Sequence, residues 1–271
     1  MEKAPSLACD VVIIDLEDAV LPEAKVVARG AATRALRAGG FGHREVVVRI
    51  NALDTAWGKD DLAQIAAAGP DAVLVPKIRG PLDLIAYGEA LRQIAPDRTR
   101  LWAMIETVQA ALQPGAIAAA AQETRLAALV MGVNDLAREM GARQSPERTP
   151  FHAALSMAVC AARAHGLAVI DGVYNEIDDT IGLEAACRQG SDFGFDGKSL
   201  IHPSHLEICN RVFSPAAEDV AWARAVVLAF DDPGNAGKGA LRVDGRLAER
   251  LHRDQAIRLL AIDEAIAAIA I

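Results

Sequence analysis

Seven times in succession the chain runs through a short apolar segment, a polar turn and an amphipathic stretch, and this alternation leaves few folds open. The apolar runs are Val11–Ile14, Val46–Ile50, Ala72–Val75, Leu101–Ile105, Leu126–Met131, Leu167–Ile170 and a weaker one near Phe193–Phe195. The helix-like segments between and after them are Glu23–Arg37, Lys59–Ala68, Pro81–Ile94, Ala110–Ala121, Pro150–His165, Ile177–Gln189 and His202–Val212. Strand-length runs alternating with helix-length segments are the signature of βα units, and such units in series build a parallel sheet covered by helices. Seven units are one short of a closed eight-stranded barrel. The chain therefore reads as an α/β protein, a TIM (β/α)8-type barrel lacking its first strand, over residues 1–213. The first run begins near residue 10, so a missing opening strand would lie before Met1, and the chain reads as truncated or started late.

After Phe213 the pattern changes, and residues 214–271 read as a C-terminal helical lid extension. Pro215–Phe230 is a long amphipathic helix and Asp231–Gly239 a Gly/Pro/Asn-rich linker. Ala240–Val243 with Asp244-Gly245 forms a hairpin-like element, and a final helix runs from Glu249 to Ile271. Such an appendage either covers the barrel mouth or reaches a neighbouring subunit; the sequence leaves both open.

Composition agrees with this architecture and narrows the function. Of 271 residues, 52% are hydrophobic but only 4% aromatic, which suits helices packed on aliphatic strands. The net charge of -8, with no basic run to offset it, argues against a nucleic-acid partner. No apolar stretch approaches the roughly 18 residues of a membrane span, and Met1 opens no charged-then-apolar leader. Cys9, Cys160, Cys187 and Cys209 are scattered singly, so they read as buried thiols in a reducing cytoplasm.

The chemistry lies where the runs end. In order, the strand ends give Asp15-Leu16-Glu17-Asp18, Arg49-Ile50-Asn51, Pro76-Lys77, Glu106-Thr107, Asn134-Asp135, Asp171-Gly172 and Asp196-Gly197-Lys198. Barrels place catalytic groups at the C-terminal ends of their strands. Asp and Asn there are often no more than helix caps. Arg, Lys and Glu are poor caps, and Arg49, at the end of Val-Val-Val-Arg, is costly to bury unless it meets an anion. Glu106 and Asp135 together suggest a cation held by oxygen ligands.

The segments Asp10-Val-Val-Ile-Ile-Asp-Leu-Glu-Asp-Ala-Val20, Val48-Arg-Ile-Asn51, Val75-Pro-Lys77, Met104-Ile-Glu-Thr107, Gly132-Val-Asn-Asp135 and Phe195-Asp-Gly-Lys-Ser-Leu-Ile-His-Pro203 resemble, in order, the HpcH/HpaI aldolase and citrate lyase β-subunit-like family. The resemblance runs from about Met1 to Ile271. It implies that Glu106 and Asp135 ligate Mg2+, a hard cation that keeps several waters and needs only one or two carboxylates. It also implies that Glu106 takes part in substrate binding and that Arg49 grips a substrate carboxylate or carbonyl oxygen, a task suited to a planar, permanently charged fork. Glu17 and Asp18 then order Arg49 and the metal's waters, with Lys77 beside them, and Asp18 joins Arg49 and Glu249 as a catalytic candidate. The loop from Lys198 to His205 is the candidate for holding the coenzyme's phosphates.

In such a family the expected activity is that of a Mg2+-dependent lyase. It would cleave, reversibly, the carbon–carbon bond of a 3-hydroxyacyl-coenzyme A thioester (malyl-, β-methylmalyl- or citramalyl-CoA) to an acyl-CoA and a small 2-oxo acid. Two departures from the family pattern qualify this. The opening strand with its basic loop is missing, which raises a citrate lyase β-type subunit or an inactive relative as an alternative. In the lid, Glu249 of Gly245-Arg-Leu-Ala-Glu-Arg-Leu-His252 stands where lyases carry Asp, and its Glu-x-Leu-His context resembles the (3S)-malyl-CoA thioesterase branch. A homo-oligomer, trimer or hexamer, is implied by the same resemblance. Three features are set aside: Gly194–Ser199 has glycines too closely spaced for a phosphate loop, His202 and His205 lack further zinc ligands, and Asp60-Asp61 and Asp231-Asp232 read as solvated turns or helix starts.

Overall fold

The computed structural model describes residues 4–269. The chain resolves into two compact units, Met1–Cys209 and Asn210–Ile271. The first is built on seven parallel strands in sequential order, β1 (Val11–Asp15), β2 (Glu45–Arg49), β3 (Ala72–Val75), β4 (Arg100–Ile105), β5 (Leu126–Met131), β6 (Ala168–Asp171) and β7 (Gly197–Lys198). Neighbours in sequence are neighbours in space throughout, as a βα series demands. The sheet curls as a TIM-type barrel does but does not close. Among the described residues β1 pairs only with β2 and β7 only with β6.

Alternate residues of the strands make one apolar cluster on the inner face: Val47, Ala72, Leu74, Trp102, Met104, Ala128 and Val130. The other face is buried as well, with Val48, Val73, Ala103, Ile105 and Leu129 fully covered. Burial on both faces explains why these strands read as unbroken apolar runs rather than as alternating patterns.

The helices are α1 (Lys25–Ala38), α2 (Gly58–Ala68), α3 (Pro81–Ile94), α4 (Val108–Leu112), α5 (Pro114–Ala119), α6 (Val133–Met140), α7 (His152–Ala164), α8 (Thr180–Phe193) and α9 (Leu206–Phe213). Several differ from the sequence expectation for identifiable reasons. The helix expected over Ala110–Ala121 is split at Gln113, because Pro114 cannot continue α4 and instead opens α5. Helix α8 starts at Thr180, later than Ile177, where the Asp179 carboxylate accepts the Gly182 N–H and caps it. The last strand is Gly197–Lys198, not Phe193–Phe195, since Phe193 ends α8. Helix α6 was not anticipated at all, and it sets Asp135 in a helical first turn rather than at a strand end.

The second unit contains α10 (Ala217–Asp231), the antiparallel hairpin β8 (Ala240–Val243) and β9 (Arg246–Glu249), and α11 (Arg250–Ile269). The hairpin turns at Asp244 (φ 48°) and Gly245 (φ 82°), the two left-handed positions that a two-residue type I′ turn requires. Ala223, Val226, Val243, Ala248 and Ala256 form its core. The end of the last expected helix, residues 270–271, lies outside the described residues. Among the described residues no helix is long and apolar enough to cross a membrane.

The thiols are not uniformly buried: Cys187 and Cys209 are, Cys9 is half-buried and Cys160 is exposed. Nor is Asp61 a solvated helix start. It is fully covered, with one oxygen 2.6 Å from Arg29 Nε and the other accepting both the backbone N–H and the side-chain amide of Asn51, at 3.0 and 2.6 Å. The charge at Asp61 is what a buried Arg29 and the chain leaving β2 both need.

Candidate active site

The C-terminal ends of β1 to β5 bring seven charged side chains together. Arg49, the last residue of β2, is in register with Asp15, the last residue of β1. Their side chains meet in a two-pronged pair, with Arg49 Nε 2.8 Å from Asp15 Oδ1 and Nη2 2.6 Å from Oδ2. Arg49 Nη1 lies 2.9 Å from Glu17 Oε2 and 3.7 Å from Asp18 Oδ2. Burial works against the guanidinium's charge, but Asp15 and Glu17 more than offset it and hold its pKa above the ordinary range. The anion that the partly buried Arg49 demands is thus supplied by the protein. Asp15 is a site residue beyond those expected from the sequence, although adjacent parallel strands ending in Asp and Arg carry the signal.

The turn after β1 is held from below. Lys25 Nζ donates to the carbonyls of Leu16 and Glu17 at 3.0 and 2.9 Å, and Asp15 accepts the Glu17 and Ala19 N–H groups. Burial would raise the Asp15 pKa, yet its bonds to Arg49 and to these amides leave it below the usual carboxylate value. Glu17, buried beside Arg49, behaves oppositely: loss of solvent outweighs the guanidinium and pushes its carboxyl up to about 7. Asp18 is largely exposed at the mouth.

Glu106 follows β4 and is fully buried. Its Oε1 accepts the backbone N–H of Lys77 at 2.7 Å, while its Oε2 is buried with no hydrogen-bond partner among the described residues. Burial pushes this carboxyl up despite the opposing pull of Lys77. Space for it exists because residue 132 is glycine. A Cβ there would stand 2.4 Å from Glu106 Cβ and 2.6 Å from Oε2. Asp135, in the first turn of α6, pairs through Oδ1 with Arg138 and lies 2.7 Å from Lys77 Nζ through Oδ2. The Lys77 ammonium is also 3.5 Å from Glu106, 3.6 Å from Glu17 and 3.9 Å from Asp18. Burial alone would depress its pKa, but the bond to Asp135 and the surrounding carboxylates raise it.

Arg49, Glu106, Asp135, Glu17, Lys77 and Asp18 therefore share one site. Glu249 belongs to the second unit, at the end of β9, where it is exposed and its N–H donates to His252 Nδ1 at 2.9 Å. Lys198 is not free to meet a phosphate. Its ammonium is covered and bound to Asp171 at 2.9 Å and to the Gly172 carbonyl at 2.5 Å, and Asp171 is also gripped by Arg148. His202 binds Ser204, and His205 Nε2 contacts the Ile177 carbonyl.

The residues fit a hard divalent cation. Among the described residues no group of three or more metal-ligating side chains occurs, but Mg2+ needs only one or two carboxylates and keeps waters elsewhere. The buried, unpartnered Glu106 Oε2 is an oxygen of the kind such an ion takes.

A parallel (β/α) barrel with carboxylates, an arginine and a lysine gathered at its strand ends defines an enzyme of the barrel class. The chain belongs to the HpcH/HpaI aldolase/citrate lyase family, whose pattern matches residues 1–203. It is 47% identical over 268 residues to a (3S)-malyl-CoA thioesterase of Cereibacter sphaeroides, covering 99% of this chain and 91% of that one. It is 31% identical over 271 residues to an L-malyl-CoA/β-methylmalyl-CoA lyase of the same species, covering 92% and 85%. The CitE protein of Mycobacterium tuberculosis, solved with magnesium, acetoacetate and coenzyme A, superposes with a TM-score of 0.75 at 28% identity, covering 96% of this chain and 92% of that one. These similarities correct the expected carbon–carbon lyase activity, for the thioesterase likeness is much stronger than the lyase likeness and covers more of both chains. The expected 2-oxo acid product falls with it.

Proposed function

We propose that this protein hydrolyses the thioester of (3S)-malyl-CoA, with Mg2+ held by Glu106 and Asp135. The 47% identity to a (3S)-malyl-CoA thioesterase across nearly the whole chain carries this reading. In the reaction, water oxygen bonds to the acyl carbon and the carbon–sulfur bond breaks, giving malate, the coenzyme A thiol and a proton. When bound, Mg2+ supplies Lewis-acid stabilisation of negative charge developing on oxygen. Arg49, locked by Asp15 and Glu17, presents a fixed cation to the substrate carboxylate and needs no rearrangement to do so. Asp18, exposed at the mouth, orients polar groups there, and Glu249 takes the proton from the attacking water. We assign the reaction to the cytoplasm, a reading supported by a coenzyme A ester as the proposed substrate, and by family likeness the proposed working form is a homo-oligomer, trimer or hexamer.

Product identification tests the reading. Incubation with malyl-CoA and Mg2+ is expected to release free malate and coenzyme A, and to stop with a chelator or in Glu106→Ala. Glyoxylate with acetyl-CoA as the products, or undiminished turnover in chelator, would overturn it.

A further inference from the structure

We propose that Lys77 is the positioning residue of the cation site: it ties together one oxygen of Glu106 and one of Asp135, leaving Glu106 Oε2 and Asp135 Oδ1 as the pair open to a divalent cation. The inference rests on the reading of those two carboxylates as metal ligands. Three independent features converge on it. Lys77 has φ 52°, a left-handed backbone that a lysine adopts only when the surroundings enforce it. In that conformation its N–H is directed at Glu106 Oε1, 2.7 Å away, while its ammonium stands 3.5 Å from the same oxygen and 2.7 Å from Asp135 Oδ2. One residue thus reaches both ligands by two different groups.

The second feature is what Lys77 leaves untouched. Glu106 Oε2 is buried without a hydrogen-bond partner, a costly condition for a carboxylate oxygen unless an ion meets it. The third is the nature of the remaining contact on Asp135. Its Oδ1 is held by Arg138, one turn further along α6 and 71% exposed, a partner that solvent can replace at little cost. The better-covered contacts on each carboxylate therefore fall on the Lys77 side, and the exposed or missing contacts on the other. Were the ammonium simply standing in for the metal ion, it would be expected against the unpartnered oxygen. It lies instead against Oε1, which the Lys77 N–H already occupies.

The test is a Mg2+ titration of chelator-stripped protein by calorimetry, with no thioester present, so it is independent of the hydrolysis assay. Lys77→Met is expected to bind Mg2+ at least 10-fold more weakly than wild type with an unchanged circular dichroism spectrum, and ethylammonium is expected to restore part of the affinity lost in Lys77→Ala. The surface variant Arg138→Ala, which leaves the fold intact, is expected to bind Mg2+ as well as wild type or several-fold better. Unchanged or tighter binding in the Lys77 variants, or weaker binding in Arg138→Ala, overturns the assignment. A wild type that binds no Mg2+ removes the metal reading itself, whereas binding without malyl-CoA hydrolysis removes only the proposed reaction.

Discussion

At the scale of single residues, the site is a contest between burial and charge, and Glu17 shows it most clearly. Its carboxyl is pushed up to about 7 by burial, so its charge changes near neutral pH. A raised pKa means stability that is complete below the ordinary value of 4.5 and is lost as pH rises through 7. Denaturation in chelator at pH 5 and pH 8 should show wild type losing up to about 3 kcal/mol across that interval. Glu17→Gln should lose little, and an equal loss in that variant would contradict the account. Glu106 and Arg49 were legible as site candidates in the sequence because Glu and Arg at strand ends have no capping role to explain them, and the structure brings both into one cluster with Asp135 through Glu17 and Lys77. Asp15 and Asp61 were not, because an Asp at a strand end or helix start looks the same whether it faces water or a buried guanidinium. Only strand register and helix packing separate the two cases, and both arise from contacts distant in sequence.

At the scale of elements, the strands were readable because burial on both faces strips them of polar residues, whereas helix boundaries depend on single caps and prolines. Helix α6 escaped notice because its residues, Val133 to Met140, lie between the β5 run and an irregular loop and carry no N-capping side chain. Yet α6 aims Asp135 at Lys77, so an element without a capping signal sets one of the two carboxylates of the candidate site. The neighbouring helix α3 carries a separate device. Tyr87, nearly covered, accepts the Leu53 N–H at 3.0 Å and pins the loop leaving β2. Burial pushes its hydroxyl up to about 12, so the stability it contributes is whole below the ordinary value of 10 and is lost as pH rises through 12. Alkaline denaturation should fall by about 3 kcal/mol across that range in wild type. Tyr87→Phe should remove that slope; if the slope persists, the hydroxyl is not its source.

At the scale of the whole molecule, the chain assigns its two tasks to two units. In the proposed reaction the cation, arginine and lysine belong to the barrel unit, and Glu249, the proposed proton acceptor, belongs to the unit of α10, β8, β9 and α11. Glu249→Gln is accordingly expected to lower kcat for malyl-CoA hydrolysis about 100-fold or more, in line with loss of a general base, while Mg2+ affinity measured by titration stays as in wild type. Equal turnover in the variant would move the proton transfer to another group. The Asp15 and Arg49 pairing also bears on how the molecule reaches this form. Because the two are register partners, the guanidinium finds its carboxylate only when β1 and β2 align correctly; a slip of one residue would turn Asp15 to the opposite face and strand an unpaired cation among aliphatic side chains. The pair thus penalises a misaligned sheet, so that correct register of β1 and β2 and the Arg49 side of the site come together.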